Sequence, residues 1–308
     1  MKNQMLFNCC VLTLLLLTQV VASPDILHKN ITHYKSIKQS VIYENKKYRL
    51  IRSFIQNNQK QFLAVNEITL KTQLLKEGSF KEQKGIEYES KYYRLLQKYS
   101  KPPYKLQNYG LTHLSNKNIY ITTDLCPSSK SGYEKQFYQD LSTHYKTPVP
   151  VTIFISGRWI KHHQKSFLSL IQLHESKKLD ITWANHTHDH YYDAHAPLEK
   201  NFLLLPNTEV KKEIFRLEKL LLSYGITPSV LFRFPGLVSD KKSILLINEL
   251  GLIPIGSNAW LAKNEKVKEG SIVLLHGNKN EPYGIKKARE LLFEKPNYAL
   301  ESILDGLK

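Results

Sequence analysis

The segment Asn185-His186-Thr187-His188-Asp189-His190 places three imidazoles and a carboxylate within five residues, and runs on through Tyr191, Tyr192, Asp193 and His195. His186 and His190 stand four apart, about one helical turn, so in a helix or a tight loop their rings point to one side. Neutral imidazole is a good ligand for Zn²⁺, and the spacing suits a divalent metal site, with zinc as the expected ion. His188, between them, is expected to point away. The competing account is a polar loop that happens to be rich in histidine. Position favours a site, because the cluster follows Leu179-Asp180-Ile181-Thr182-Trp183-Ala184, which reads as a buried strand. Open α/β sheets and barrels build their sites at the C-terminal ends of such strands.

Other residues fall at the same kind of place. Ile119-Tyr120-Ile121-Thr122-Thr123 reads as an apolar, β-branched strand that delivers Asp124. The strand Ser229-Val230-Leu231-Phe232 leads into Arg233-Phe234-Pro235-Gly236, and Ser271 to Leu275 leads into His276. Further strands are expected at Val149–Ile155 and Leu252–Ile255. Helices are expected over Tyr133–Tyr145, Trp159–Glu175, Val210–Tyr224, Lys242–Leu250 and from about Ile285. Val210–Tyr224 sets Ile214, Leu217 and Leu221 on one face and ends at Gly225, in the manner of a cap. Alternating strands and helices with nearly continuous apolar strands imply a parallel sheet covered by helices, either a barrel or a doubly wound layer. Each site candidate alone has a structural explanation: a turn cap for Asp124, a surface ion pair for Arg233, a satisfied core histidine for His276. Their common rim argues for a site.

Residues 1–22 have the form of a secretory leader: Lys2, the apolar run Val11 to Leu17, and Val20-Val21-Ala22 before Ser23. That run is too short for a membrane span. Cys9 and Cys10 would leave with the leader, so Cys126 would be the one remaining thiol and no internal disulfide could form. An exported protein of a bacterial periplasm or envelope fits. The formal net charge is +17, but the lysines are scattered and no aromatic–basic motif accompanies them, so no nucleic-acid partner is expected. Residues 23–115 read as a small, partly β accessory segment. Within it, strands at Lys47–Phe54 and Gln61–Val65 join across a polar turn at Asn57-Asn58-Gln59-Lys60, and a helix spans Glu87–Tyr99 before Pro102-Pro103. The α/β domain is expected over 116–308.

The motifs of residues 118–280 resemble those of the polysaccharide deacetylase family, carbohydrate esterase family four. Thr122-Thr123-Asp124-Leu125-Cys126-Pro127 is similar to its Thr-Phe-Asp-Asp-Gly-Pro. His186-Thr187-His188-Asp189-His190 matches its His-Ser/Thr-x-x-His, Arg233-Phe234-Pro235 its Arg-x-Pro, and Leu274-Leu275-His276 its Leu-x-His. The resemblance implies a distorted (β/α) barrel and metal-dependent removal of acetyl groups from an N-acetylated polysaccharide, such as peptidoglycan. It implies His186 and His190 as metal ligands, Asp124 as base with Arg233 as its partner, a backbone N–H near Gly236 for the oxyanion, and His276 as proton donor. Trp183, Tyr191, Tyr192 and Trp260 are available to stack on sugars, although Trp183 also reads as strand core. Two places depart from the pattern. Leu125 stands where the family carries a metal-binding aspartate, so the third ligand is either absent or supplied by Asp124. If it is absent, the favoured case, Leu125→Asp would tighten metal binding; if Asp124 supplies it, affinity would barely change. Asn258-Ala259-Trp260 stands where the family carries an aspartate that tunes the catalytic histidine. An alternative is therefore a glycan-binding module that has lost turnover, and a further one is a metal-sequestering exported protein.

Overall fold

The computed structural model describes residues 30–83, 89–294 and 296–307. The leader and the first residues expected of the Glu87–Tyr99 helix lie outside these. Five strands come first: β1 (Ile31–Tyr43), β2 (Lys46–Gln56), β3 (Gln59–Asn66), β4 (Thr72–Lys76) and β5 (Lys81–Glu82). They form an antiparallel sheet in the order β4-β3-β2-β1-β5. The β2–β3 turn is Asn57-Asn58, both with positive φ, as a tight hairpin requires. Helix α1 (Lys91–Lys98) follows, capped by the Ser90 side chain.

The rest alternates: β6 (Tyr120–Leu125), α2 (Lys135–His144), β7 (Val149–Ile155), α3 (Gly157–His162), α4 (Gln164–Glu175), β8 (Leu179–Asn185), α5 (Val210–Ser223), β9 (Leu231–Phe232), α6 (Lys241–Glu249), β10 (Ile253–Pro254), β11 (Ala259–Trp260), β12 (Ile272–His276), α7 (Pro282–Arg289) and α8 (Ile303–Gly306). The helix expected over Trp159–Glu175 is two helices, broken at His163, whose φ of −127° and ψ of 41° are not helical. The strands form one parallel sheet in the order β10-β9-β8-β7-β6-β12-β11.

That order forces the sheet to curl. The edge strands β10 and β11 are joined directly from Pro254 to Ala259. Five residue steps reach at most about 18 Å, whereas flat strands would set the two edges about 29 Å apart. The sheet is an incomplete barrel, and β10 and β11 do not pair with each other. Residues 107–111 brace the connection: Leu111 N–H donates to the Pro254 carbonyl, Gly256 N–H to that of Leu111, and Asn108 exchanges hydrogen bonds with Ser257.

Strand alternation sorts the side chains. Ile121, Leu125, Ile153, Ile155, Ile181, Trp183, Val273 and Leu275 pack outward under the helices. Tyr120, Phe154, Ala184, Phe232 and Ile272 belong to a second cluster. The antiparallel sheet shares this second core, setting Ile51, Phe54, Leu63 and Val65 with Ile214 and Leu222 of α5 and Ile244 and Ile247 of α6. An ion pair between Arg52 of β2 and Glu218 of α5, both buried, ties the two parts together. No helix of the described residues is long and apolar enough to cross a membrane.

Candidate metal centre and catalytic rim

Asp124 lies near the end of β6, in register with His276 on β12 and Phe154 on β7. Its Oδ1 accepts from Arg233 Nη1 at 2.6 Å, and both side chains are buried. Arg233 spends its remaining donors on Thr122 Oγ1 (2.9 Å), the Gly256 carbonyl (2.9 Å) and the Ile255 carbonyl (3.3 Å). Its guanidinium sits 4.0 Å from the centroid of the Phe154 ring. Each guanidinium nitrogen thus donates to a protein group, and the arginine holds one carboxylate oxygen. The other, Oδ2, is 3.8 Å from His186 Nε2. Burial alone would raise the Asp124 carboxyl, but Arg233, with His186 and His276, outweighs it and holds the group below the usual carboxylate range.

The histidine loop leaves β8 with Thr187 and His190 at positive φ, 68° and 47°. A β-branched residue rarely adopts this conformation, and it is held here from outside. The first N–H groups of α3 donate to the loop: Gly157 to the Thr187 carbonyl (3.1 Å) and Arg158 to that of His188 (2.7 Å). The tight loop brings the His186 and His190 rings to 4.7 Å between centroids. His188 turns elsewhere, with Nδ1 2.7 Å from Asp189 Oδ1 and its ring so close to Gly157 that a Cβ there would meet it at 2.4 Å. Asp189 is gripped in turn by Arg216 and Tyr191, and its N–H donates to Glu213 Oε2 at 2.6 Å.

Two details fit the rings to a metal. His186 Nδ1 is 2.8 Å from the Arg233 carbonyl, which can only accept, so Nδ1 carries the proton and Nε2 presents a lone pair. His190 Nε2 is buried and has no hydrogen-bond partner among the described residues, a state that costs free energy unless something else meets it. The third member of the cluster was not read from the sequence as a ligand. Cys126 is buried, its Sγ is 3.4 Å from His186 Nε2, and the donor atoms of Cys126, His186 and His190 all lie within 4.8 Å of one another. For a tetrahedral zinc, bond lengths of about 2.1 and 2.3 Å put a sulfur and a nitrogen ligand about 3.6 Å apart. Burial raises the Cys126 thiol, but His190 and His276 outweigh it and bring it to about 7. The signal was available: residues 124 and 126 share a face by strand alternation.

His276 completes the rim. Its Nδ1 is 2.7 Å from Glu281 Oε2, which also accepts from Trp260 Nε1 at 2.8 Å. Asn258, at the place of the family's tuning aspartate, gives its amide oxygen to the N–H of Ile272 (3.1 Å), and a carboxylate from the β12–α7 turn stands at the His276 ring instead. Burial works against a charged imidazole, but Cys126, Glu281 and Asp124 outweigh it, so His276 is held well above the ordinary imidazole range. Gly236 has φ of 61°, and a Cβ there would run into the Phe202 ring, which itself stands 5.9 Å from His190, edge to face. Among the aromatic candidates, Trp183 is buried against Phe167, Trp260 lies beside His276, and Tyr191 and Tyr192 are exposed.

Residues 112–255 match the polysaccharide deacetylase family. Over these residues the chain is similar to polysaccharide deacetylases. Polysaccharide deacetylases are metal-dependent hydrolases acting on carbon–nitrogen bonds other than peptide bonds. The matched residues include Asp124, Cys126, His186, His190, Arg233 and Gly236, and end before His276. Among solved structures, the chain is similar to a family 4 carbohydrate esterase from Bacillus anthracis, with 22% identity, 72% of this chain and 93% of that chain covered, and a TM-score of 0.48. A family 4 carbohydrate esterase from Bacillus subtilis gives 19%, 73%, 90% and 0.46. A pseudoenzyme of the same esterase family from Bacillus anthracis gives 15%, 64%, 67% and 0.44.

Proposed function

We propose that this domain hydrolyses the acetamide of an N-acetylated cell-envelope polysaccharide, peptidoglycan or another N-acetylglucosamine glycan, with zinc held by His186 and His190. The observation that carries the reading is the unpartnered, buried Nε2 of His190 beside a proton-locked His186 and the free oxygen of Asp124. When bound there, a divalent metal supplies Lewis-acid polarisation of the carbonyl and an acidified water. The protein's own groups divide the proton work. Asp124, kept ionised by Arg233, takes a proton through Oδ2. Arg233 acts through Asp124, because it is fully buried and each of its three nitrogens already donates to the protein. His276, kept charged with help from Glu281, gives a proton to the departing sugar amine. A depressed carboxyl and an elevated imidazole on one rim form the acid–base division that amide hydrolysis at neutral pH needs. A backbone N–H near Gly236 is assigned to the developing oxyanion, and Trp260, Tyr191 and Tyr192 to the sugar faces. The leader-like residues 1–22 and the single later thiol support an exported protein acting in the periplasm or envelope.

One observation favours a second reading. Leu125 is buried with the outward-facing core where the family pattern has a carboxylate, as it would be in a glycan-binding module without turnover. Acetate release separates the two. Chelated protein is expected to be inert on N-acetylated oligosaccharides and to recover on adding zinc or cobalt. Metal-loaded protein that binds the oligosaccharide and releases no acetate would establish the binding module instead.

A further inference from the structure

We infer that Cys126 is the third protein ligand of this metal, as a thiolate, so that a Cys-His-His set replaces the aspartate-containing one of the family pattern. The inference rests on the proposed metal at His186 and His190 and adds the ligand that the departure at Leu125 left missing.

The geometry separates the three candidates for that place. Leu125 is fully buried in the outward-facing core, near Tyr138 and with Cδ2 3.1 Å from where a Gly277 Cβ would lie. Its strand is fixed on both sides, by the Leu125–Ile155 register on β7 and the Asp124–His276 register on β12. Asp124 has one oxygen committed to Arg233. Cys126, one step beyond β6 on the face of Asp124, lies in the cluster of donors with the two histidines. Its 3.4 Å separation from His186 Nε2 is close to a tetrahedral edge of about 3.6 Å.

The chemistry is conservative in charge and altered in softness. A thiolate brings the same single negative charge as the carboxylate it replaces, and the thiol proton leaves to solvent as the metal binds. Sulfur donors favour zinc over cations that prefer oxygen ligands, such as magnesium. The second departure is repaired in the same spirit, since Glu281 stands where the tuning aspartate is missing.

Cobalt provides a readout independent of turnover. Metal-free protein titrated with Co²⁺ is expected to bind one ion per chain and develop a thiolate-to-cobalt charge-transfer band in the near ultraviolet, unaffected by excess magnesium. Cys126→Ser should lose the band and weaken binding by more than the roughly 10–100-fold that loss of an outer-shell partner costs. Cys126→Asp should lose the band and keep the ion, which guards against a folding defect in the serine variant. On the unaltered chain, peptide mapping should find Cys126 protected from alkylation by bound metal and exposed to it after chelation. Cobalt bound without the band, or with Cys126 equally alkylated in both states, overturns the inference and leaves the metal reading standing. No cobalt bound at all overturns both. Leu125→Asp is expected to leave cobalt affinity unimproved; tighter binding with loss of the band would return the third place to residue 125.

Discussion

Two arginine–carboxylate pairs are buried in this molecule, and they end in opposite ways. Arg52 holds both oxygens of Glu218, at 2.7 and 2.9 Å, while its Nη1 donates to the carbonyls of Ile51 and Leu250 and Tyr34 adds a hydroxyl to Glu218. Every strong group of that pair is closed off. Arg233 is as heavily engaged but holds only one oxygen of Asp124, and leaves the other 3.8 Å from the His186 ring. Each guanidinium also lies against an aromatic ring, Phe215 for Arg52 and Phe154 for Arg233. The same ion pair is therefore a staple when both carboxylate oxygens are taken, and a poised base when one is left over.

Substitution should break this symmetry. Asp124→Asn removes a base and is expected to lower kcat by about 10²–10⁴-fold, with metal content unchanged by elemental analysis. Glu218→Gln should leave kcat per folded molecule intact. Arg52→Met strands Glu218 as a buried charge and should cost about 3–5 kcal/mol of stability in a denaturant titration, again without touching kcat; a loss of turnover in the folded variant would mean that the staple reaches the site. Glu281→Gln tests the acid side and should cost about 10–100-fold in activity, as losing an outer partner of a functional imidazole does. The sign with pH follows from His276, whose pKa Glu281 helps to raise. The donor must be charged, activity falls as pH rises through its pKa, and removing the carboxylate moves that falling limb to lower pH. A limb that stays in place would remove Glu281 from the mechanism. The smallest effect is expected for His188→Ala, which should leave cobalt stoichiometry and affinity unchanged because His188 faces Gly157 and Asp189.

What could be read from the sequence followed from periodicity and chain chemistry. The parallel strands are nearly continuous apolar runs, so Asp124 and the histidine loop could be placed at strand ends before any coordinates. Gly225 and Gly251 mark helix ends with positive φ, and Asn57-Asn58 marks a hairpin. Strand β1 escaped because its register shifts between Thr32 and Lys35 and again between Ser36 and Gln39, which breaks the two-residue period. The break at His163 has no glycine or proline to announce it. Cys126 lies just past the end of its strand and before Pro127, where the alternation is no longer obvious, and a lone thiol invites a question about disulfides before one about metals. Glu281 could not be read at all. Its approach to His276 depends on how residues 277–281 turn, and no periodic signal carries that.

Helix α5 gives the fold a consequence for how the chain may be divided. On one side Glu213 and Arg216 clasp Asp189 in the loop that bears His186 and His190, and on another Glu218 receives Arg52 from the antiparallel sheet. A single helix thus has the histidine loop at one grip and the N-terminal sheet at another. Cutting the chain at the domain boundary expected from the sequence, to begin at residue 116, would not liberate a smaller enzyme. It would strip the cover from Ile214, Leu222, Ile244 and Ile247 and leave a carboxylate buried beside nothing that answers its charge. The first strands form the outer wall against which α5, and through it the histidine loop, is braced.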